Sequence, residues 1–340
     1  MTKINEKLYI ELYNTGKSSM ELADLFNISE RQAQRIEQRL RMKKKIKPRA
    51  ALEIKNKLGL HSKNKIDIDT IISSTKKQWI IPSSAKSKNI NKNFKVYLYL
   101  ADNHVPEYNI PANKAILKLM NDIKLDGFGI VGDFMDMSPI SHWNEHKHKT
   151  LETQRLQEHY ILGNILLDEY DKRLPKNCDK SFFFGNHENW YFQLIEKMPV
   201  LEGLIHPTKE LNLIKRGYKV YEDENHIEKV GRLLITHGVY ATMYAVKKHI
   251  QEFKSNVLFF HTHRIGLRTE KSPAKEIAIV GYNGGCMCDK NPNYLRNKPN
   301  AWSHGFILVY YMPNGYFFVD NIRIIQGRFV YNGKLYDGNN

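Results

Sequence analysis

Apolar runs of strand length alternate with amphipathic stretches from Phe94 onward, the pattern of an α/β domain. The runs are FKVYLYL (94–100), FGIV (128–131), SFFF (181–184), RLLIT (232–236), VLFF (257–260) and EIAIV (276–280). Helical apolar spacing fills 112–125, 150–174 and 240–253 between them. The stretch GFILVYYMPNGYFFVDNIRII predicts a hairpin, with Pro313-Asn314-Gly315 supplying its turn.

Ahead of Phe94 the periodicity is helical. Residues 4–14 predict a short amphipathic helix ended by Thr15-Gly16. Ser18 offers an N-cap to MELADLF, whose Leu22, Ala23 and Phe26 keep helical spacing. Asn27-Ile28-Ser29 predicts a tight turn, and Ser29 can cap a third helix, ERQAQRIEQRLRMKKK. From Pro48 the pattern weakens: ALEIKNKLGL predicts one more short helix, and SSAKSKNINKN reads as a lysine-rich linker. The expected organisation is a small all-α domain at 1–47, a basic linker at 48–93 and an α/β domain at 94–340. No internal repeat is evident.

With 340 residues, 41% hydrophobic and 11% aromatic, the chain can bury a sizeable core. No apolar stretch approaches the roughly 20 residues of a membrane span. The opening residues MTKINEKLYI lack the apolar centre of a secretory signal. Three cysteines, two of them in Cys286-Met287-Cys288, make no disulfide framework and are read as reduced thiols. These features predict a cytoplasmic setting, in a bacterium or a phage-infected host, and no membrane partner.

The net charge of +16 is unevenly placed. Residues 1–93 hold 21 Lys and Arg against 9 Asp and Glu, whereas the remainder holds 31 against 27. Such asymmetry points to a polyanion, DNA above all, although a solvated lysine-rich tail has the same composition. The segment SSMELADLFNISERQAQRIEQ resembles the helix-turn-helix of many small DNA-binding domains. That resemblance implies that Ala23 packs between the helices and Ile28 plugs the corner. On this register Arg31, Gln32, Gln34, Arg35 and Gln38 face outward, residue types suited to guanine and adenine edges. Arg39 opens a run to Arg49 with seven basic residues, which adds phosphate contacts.

Five of the apolar runs are followed at once by metal-ligating side chains. They are Asp102-Asn103-His104, Gly132-Asp133 with Asp136, Gly185-Asn186-His187-Glu188, His237-Gly238, and His261-Thr262-His263. Loops at strand ends are where α/β folds carry chemistry, because the sheet is a rigid support. If strand geometry persists past Phe260, His261 and His263 share one face.

D-x-H, G-D-x-x-D, G-N-H-E, H-G and H-x-H, in this order after successive strands, resemble the calcineurin-like metallophosphoesterase superfamily over about residues 94–290. The Mre11/SbcD-like nucleases and phage-type phosphoesterases are the branches considered. The resemblance implies an αββα sandwich, two mixed sheets flanked by helices, preceded here by the all-α helix-turn-helix domain. It implies two divalent metal ions per chain, Mn²⁺ first and Fe, Zn or Ni as alternatives, since mixed imidazole and carboxylate ligands suit these ions. By resemblance Asp102, His104 and His263 hold one metal, Asn186, His237 and His261 hold the other, and Asp133 bridges them. His187 is then the general acid toward the leaving group, with Asp136 orienting it and raising its pKa.

The chain departs from the family at three points. Phe260 stands where a glycine usually precedes the first histidine of the last motif, which predicts a different backbone at His261. Met137-Ser138 replaces the Arg-Gly of the protein phosphatase branch, and Glu188 replaces the Asp usual in the nuclease branch. Asn283-Gly284-Gly285-Cys286 resembles the turn that follows the last histidines in many members. His142, His146 and His148 fall in a loop that either meets substrate or is simply exposed. Arg264 either contacts a phosphate or pairs with an acid.

The expected function is a di-metal phosphodiesterase or nuclease acting on DNA, carried there by its N-terminal helices, in a phage-type or mobile-element protein. Alternatives are a phosphomonoesterase or cyclic-nucleotide phosphodiesterase with a localising module, and a non-catalytic DNA-binding regulator on the same scaffold.

Overall fold

The computed structural model describes residues 5–15, 17–43, 45–46, 68–78, 93–144, 146, 154–271, 278–292 and 298–340. The chain forms two compact units, Met1–Ser74 and Thr75–Asn340.

In the first unit, α1 (Glu6–Asn14), α2 (Ser19–Leu25) and α3 (Glu30–Met42) follow the expected spans closely. Each start is fixed locally. The Asn5 side chain accepts from the N–H groups of Lys7 and Leu8. Ser18 and Glu21 form a reciprocal capping box at 3.2 and 2.7 Å. Ser29 accepts from the Gln32 N–H at 3.3 Å, while the Gln32 side chain accepts from the Ser29 N–H at 2.9 Å. Asn27, in the left-handed region at φ 48°, turns the chain between α2 and α3. Tyr9, Tyr13, Leu22, Ala23, Ala33 and Leu40 form the buried centre, with Phe26 and Ile28 packed against it.

A further helix, α4 (Ile68–Gln78), lies inside the stretch expected to be a linker. The expected helix ALEIKNKLGL and nearly all of SSAKSKNINKN fall outside the described residues.

The second unit is built on two sheets. The first contains β1 (Lys95–Leu100), β2 (Gly127–Val131), β3 (Asp179–Phe183), β4 (Tyr218–Tyr221), β10 (His304–Tyr311) and β11 (Phe317–Ile324). Its order is β11-β10-β1-β2-β3-β4, with β1 to β4 parallel and the β10–β11 hairpin antiparallel. The second contains β5 (Glu228–Val230), β6 (Leu233–Ile235), β7 (Asn256–Phe259), β8 (Ile265–Glu270) and β9 (Ile279–Gly284). Its order is β5-β6-β7-β9-β8, with β6, β7 and β9 parallel and both edges antiparallel. A separate ribbon pairs β12 (Arg328–Tyr331) with β13 (Lys334–Asp337).

The faces of the two sheets meet in one core. Tyr99, Val131, Phe183 and Ile307 come from the first sheet, and Leu233, Ile235 and Leu258 from the second. Alternation along β1 sends Tyr97 and Tyr99 to this side. Gly127 and Gly129 of β2 make room for their rings, since a Cβ there would come within 2.4 and 2.5 Å of the tyrosine carbons. The outer faces take helices. Tyr170 of α6 (Leu156–Asp171) packs on Phe128 of β2 at 5.2 Å. Ala245 and Ile250 of α9 (Ala245–Phe253) pack on Val257 and Phe259 of β7. With α5 (Ile110–Asp122) on the ribbon, the result is an αββα sandwich of mixed sheets.

Differences from expectation concentrate at short or edge elements. The strands β4, β5, β8, β12 and β13 carry weak periodicity of their own. The helix α7 (Asn186–Lys197) begins inside the G-N-H-E motif. In the run EIAIV, Glu276 and Ile277 lie outside the described residues and β9 begins at Ile279; Asn283 and Gly284 belong to that strand rather than to a turn. Ladder pairing with Phe259 of β7 and with Ile265 and Gly266 of β8 holds them extended, and the chain bends at Gly285, φ 84°.

Candidate metal centre

The strands β1, β2, β3, β6 and β7 are each parallel to a neighbour, so the loops at their C-terminal ends gather along one rim. The loops depart sharply from strand geometry. Asp102, His104, Asp133, His261 and His263 all lie in the left-handed region, with φ between 49° and 63°. Such a backbone is uncommon outside glycine, and holding it requires the surrounding structure. Cross-loop hydrogen bonds provide that hold: Asp102 N–H to Gly132 O at 3.0 Å, His104 N–H to Asp133 O at 3.0 Å, and Phe260 N–H to His237 O at 2.8 Å.

Two groups of ligand atoms result. In the first, His104 Nε2 lies 3.1 Å from His263 Nε2, which is 3.4 Å from Asp102 Oδ1. In the second, His237 Nε2 lies 3.3 Å from Asn186 Oδ1 and 3.2 Å from His261 Nδ1. Asp133 stands between them, its Oδ2 at 3.2 Å from His237 Nε2 and 3.9 Å from His104 Nε2. His261 and His263 therefore serve different groups. The strand ends at Phe259, and two left-handed residues, not strand alternation, aim them.

The donor set fits a cation in each group. Metal–ligand bonds of roughly 2.0–2.2 Å bring neighbouring ligand atoms to roughly 3–3.5 Å apart, the spacing found here. Asp102 Oδ1 is buried with no hydrogen-bond partner, an orphan that a cation would satisfy. Outer partners fix the rings. His237 Nδ1 donates to Val131 O at 2.8 Å, which leaves Nε2 as a ligand. His104 Nδ1 is 3.3 Å from the Asp136 carboxylate, and His263 Nδ1 is 3.8 Å from Cys288 Sγ. Burial alone would lower the histidine pKa values. The surrounding carboxylates, Asp133 foremost, more than offset it and push His237 up to about 10. Asp136 and Asp133 likewise take His104 to about 9, whereas burial, aided by His237, leaves His261 at about 4.

His187 is placed differently from its expected pairing. Its N–H donates to Asp133 Oδ1 at 2.9 Å, and its Nδ1 meets the backbone carbonyl of Asp136 at 2.7 Å. The Asp136 carboxylate is 3.7 Å away, farther than it is from His104. Burial outweighs the nearby carboxylates, and the His187 pKa is lowered rather than raised. The orienting acceptor is thus a carbonyl, bonded to Nδ1. The ring packs on Trp190 at 4.0 Å.

Glycines set the close approaches. A Cβ on Gly132 would lie 2.3 Å from His237 Nδ1, and one on Gly185 2.2 Å from Asp133 Oδ1. With Phe260 before it, His261 lies at φ 63° with its Nδ1 3.2 Å from His237 Nε2. The Phe260 ring is buried in the inter-sheet core and rests over Gly284, where a Cβ would come within 2.1 Å of it.

Three contributors escaped sequence reasoning. Glu188, fully buried, accepts from the backbone N–H groups of Asp133, Met135 and Gly185 at 2.7–3.0 Å and so ties two ligand loops together. Burial and the Asp133 charge push its carboxyl up to about 7. Its place three residues past Gly185, at the third position of a helix, was a legible capping signal. Cys288 joins His104 and His263 in a ligand-like group, and Trp302 packs on His263 at 4.1 Å. No local pattern announces either. Cys286 is buried outside these groups, as a free thiol. His142 and His146 join none of the ligand groups, and His148 lies outside the described residues.

On α3, Arg31, Gln32, Gln34, Arg35, Gln38 and Arg39 are all exposed. Three have other engagements: Gln32 caps its own helix, Arg39 pairs with Glu6 at 3.0 Å, and Gln34 bonds Glu30 at 3.2 Å. Lys44 and 47–49 of the basic run lie outside the described residues. No helix among the described residues is long and apolar enough to cross a membrane.

With three overlapping groups of ligand-type atoms, one of them formed by His104, Asp133 and His187, the chain has the equipment of a metal-dependent hydrolase. No family model and no curated protein sequence matches it. Among solved structures it is similar to a metallophosphoesterase from Sphaerobacter thermophilus, at 14% identity and a TM-score of 0.36, over 68% of this chain and 88% of that one. It is similar also to an archaeal phosphodiesterase, at 12% identity and 0.35, over 66% and 98%. Vacuolar Protein Sorting 29 from Cryptosporidium parvum follows at 13% and 0.32, over 72% and 95%. At these scores the functional reading stands on the geometry of the site alone.

Proposed function

We propose that this chain is a calcineurin-like metallophosphoesterase that hydrolyses phosphodiesters in DNA, delivered there by a helix-turn-helix at 1–47. The observation that carries the reading is the placement of the Asp133 carboxylate between the two ligand groups. One carboxylate can thereby face two cations, the arrangement that in-line displacement at phosphorus uses. Asp102, His104 and His263 would hold one cation, and Asn186, His237 and His261 the other. Bound there, Mn²⁺ or a similar ion would acidify water and neutralise phosphoryl oxygens.

The chain's own groups do the rest. His187 donates its Nδ1–H to the Asp136 carbonyl, which orients the ring, and the doubly protonated ring would carry the Nε2 proton for the leaving oxygen. Asp136 orients His104, and Glu188 keeps the Asp133 loop in register. The exposed face of α3, with Arg31, Arg35 and Gln38, supplies the DNA contact, while the first 93 residues carry most of the net positive charge.

The test is a substrate panel with Mn²⁺: single- and double-stranded DNA, bis-p-nitrophenyl phosphate and p-nitrophenyl phosphate, with Asp133→Asn as control. Cleavage of DNA and diester that the substitution abolishes is the expected result. Monoester turnover without DNA cleavage would replace the nuclease reading with that of a phosphomonoesterase.

A further inference from the structure

A cavity of about 240 Å³ lies between the segment Thr242–Lys247 and the segment Thr262–Arg268. Both walls continue from the ligand loops: Thr242 is five residues beyond His237, and Thr262 separates His261 from His263. The Asn283 side chain bonds Thr262 Oγ1 at 2.5 Å and fixes that wall. Three cations line the cavity, Lys247, Arg264 and Arg268, and no carboxylate does. Arg268 is engaged by Glu270 at 3.0 Å. Arg264 is not engaged. Its side chain makes no hydrogen bond or ion pair among the described residues, and its Nε is shut off from solvent without an acceptor.

An unpaired, partly buried guanidinium beside a phosphoesterase centre asks for an anion. Its planar fork matches two oxygens of a phosphate at once. The rest of the cavity mouth is apolar and exposed: Met243, Tyr244 and Leu267 are 79%, 68% and 63% accessible. An apolar, partly aromatic rim next to a cation complements a nucleotide, which offers a planar base and a phosphate. The volume falls below the roughly 300–1,000 Å³ of pockets that enclose a whole ligand. It suits one unit of a longer strand.

We infer that this cavity is a subsite for the nucleotide adjoining the scissile phosphate, with Arg264 holding its non-reacting phosphate and Tyr244 facing its base. The inference rests on the phosphodiesterase reading. It also puts positive charge beside a centre in a stretch, residues 94–340, whose basic side chains outnumber the acidic ones by only four.

Calorimetry on the full-length, Mn²⁺-loaded protein tests it without turnover. Thymidine 3′,5′-bisphosphate is compared with thymidine 5′-monophosphate. The native protein should prefer the bisphosphate by on the order of 10- to 100-fold, the scale of a charge-assisted contact. Arg264→Gln should erase that preference, and Arg264→Lys should keep part of it. A preference that survives in Arg264→Gln overturns the proposal, as does equal affinity of the native protein for both ligands, or no binding of either. Loss of the preference only together with bound metal, measured by elemental analysis, overturns it too. Turnover of bis-p-nitrophenyl phosphate by the native protein, run alongside, reports separately on the phosphodiesterase reading.

Discussion

In the N-terminal unit the starts of α1, α2 and α3 are each satisfied by a side chain at most three residues away, through Asn5, Ser18 and Ser29. Among its described residues only Asn27, a residue type that tolerates the left-handed region, enters it. The ligand loops of the α/β unit do the reverse. Five of their ligands, three of them histidines, sit at positive φ, and contacts from distant segments hold them there. Each such residue costs on the order of 1 kcal/mol or more. The difference teaches that local rules build the module expected to bind DNA, whereas long-range packing forces the site into a shape its own loops would not choose.

Removing the charge between the two ligand groups should have the largest effect. Asp133→Asn should lower bound metal from two ions per chain, read by elemental analysis. It should also reduce diester turnover by at least the roughly 10²–10³-fold seen when one electrostatic contact is removed. An unchanged metal count with full turnover would sink the shared-carboxylate role. His187→Ala separates the acid from the ligands: both metals should stay, while turnover on an ester with a poor leaving group falls by roughly 10²–10⁴-fold. Equal losses on p-nitrophenyl and alkyl esters would contradict a proton-donating role.

Glu188→Ala probes the tie between the loops. Orphaning three buried backbone donors should destabilise the α/β unit by about 3 kcal/mol or more, read by denaturant unfolding, and weaken metal binding with it. Stability within error of native would mean that Asp133 and Gly185 hold their places unaided. The smallest effect belongs to the other unit. Ser18→Ala should cost about 1 kcal/mol in the helical unit, with diester turnover unchanged. A comparable loss of turnover would show that the two units are not independent in this respect.

Much of this was legible because ligand residues directly follow apolar strand runs, and parallel strands bring their ends to one rim. The three N-terminal helices were legible because caps and spacing are local signals. The surroundings of His187 were not. Asp136 was expected to serve His187 through its carboxylate, but the carboxylate lies nearer His104, and the carbonyl of the same residue meets His187. No spacing along the chain distinguishes these arrangements, since both use the same residue. Phe260 posed a similar problem. Its place before His261 predicted a different backbone there, and the chain alone did not show that Gly284, 24 positions later, leaves the space that its ring fills.

The sequence by itself determined which residues could bind metal, the strands that carry them and the three helices ahead of them, because hydrophobic period, caps and ligand chemistry are written locally. Only the tertiary structure set the distances among the ligand groups and the left-handed turns through which His261 and His263 diverge. It alone left Arg264 unpaired at the lip of the site and set Glu188 behind Asp133. Those outcomes depend on distances between segments far apart in the chain, which packing of the two sheets fixes and no local pattern encodes.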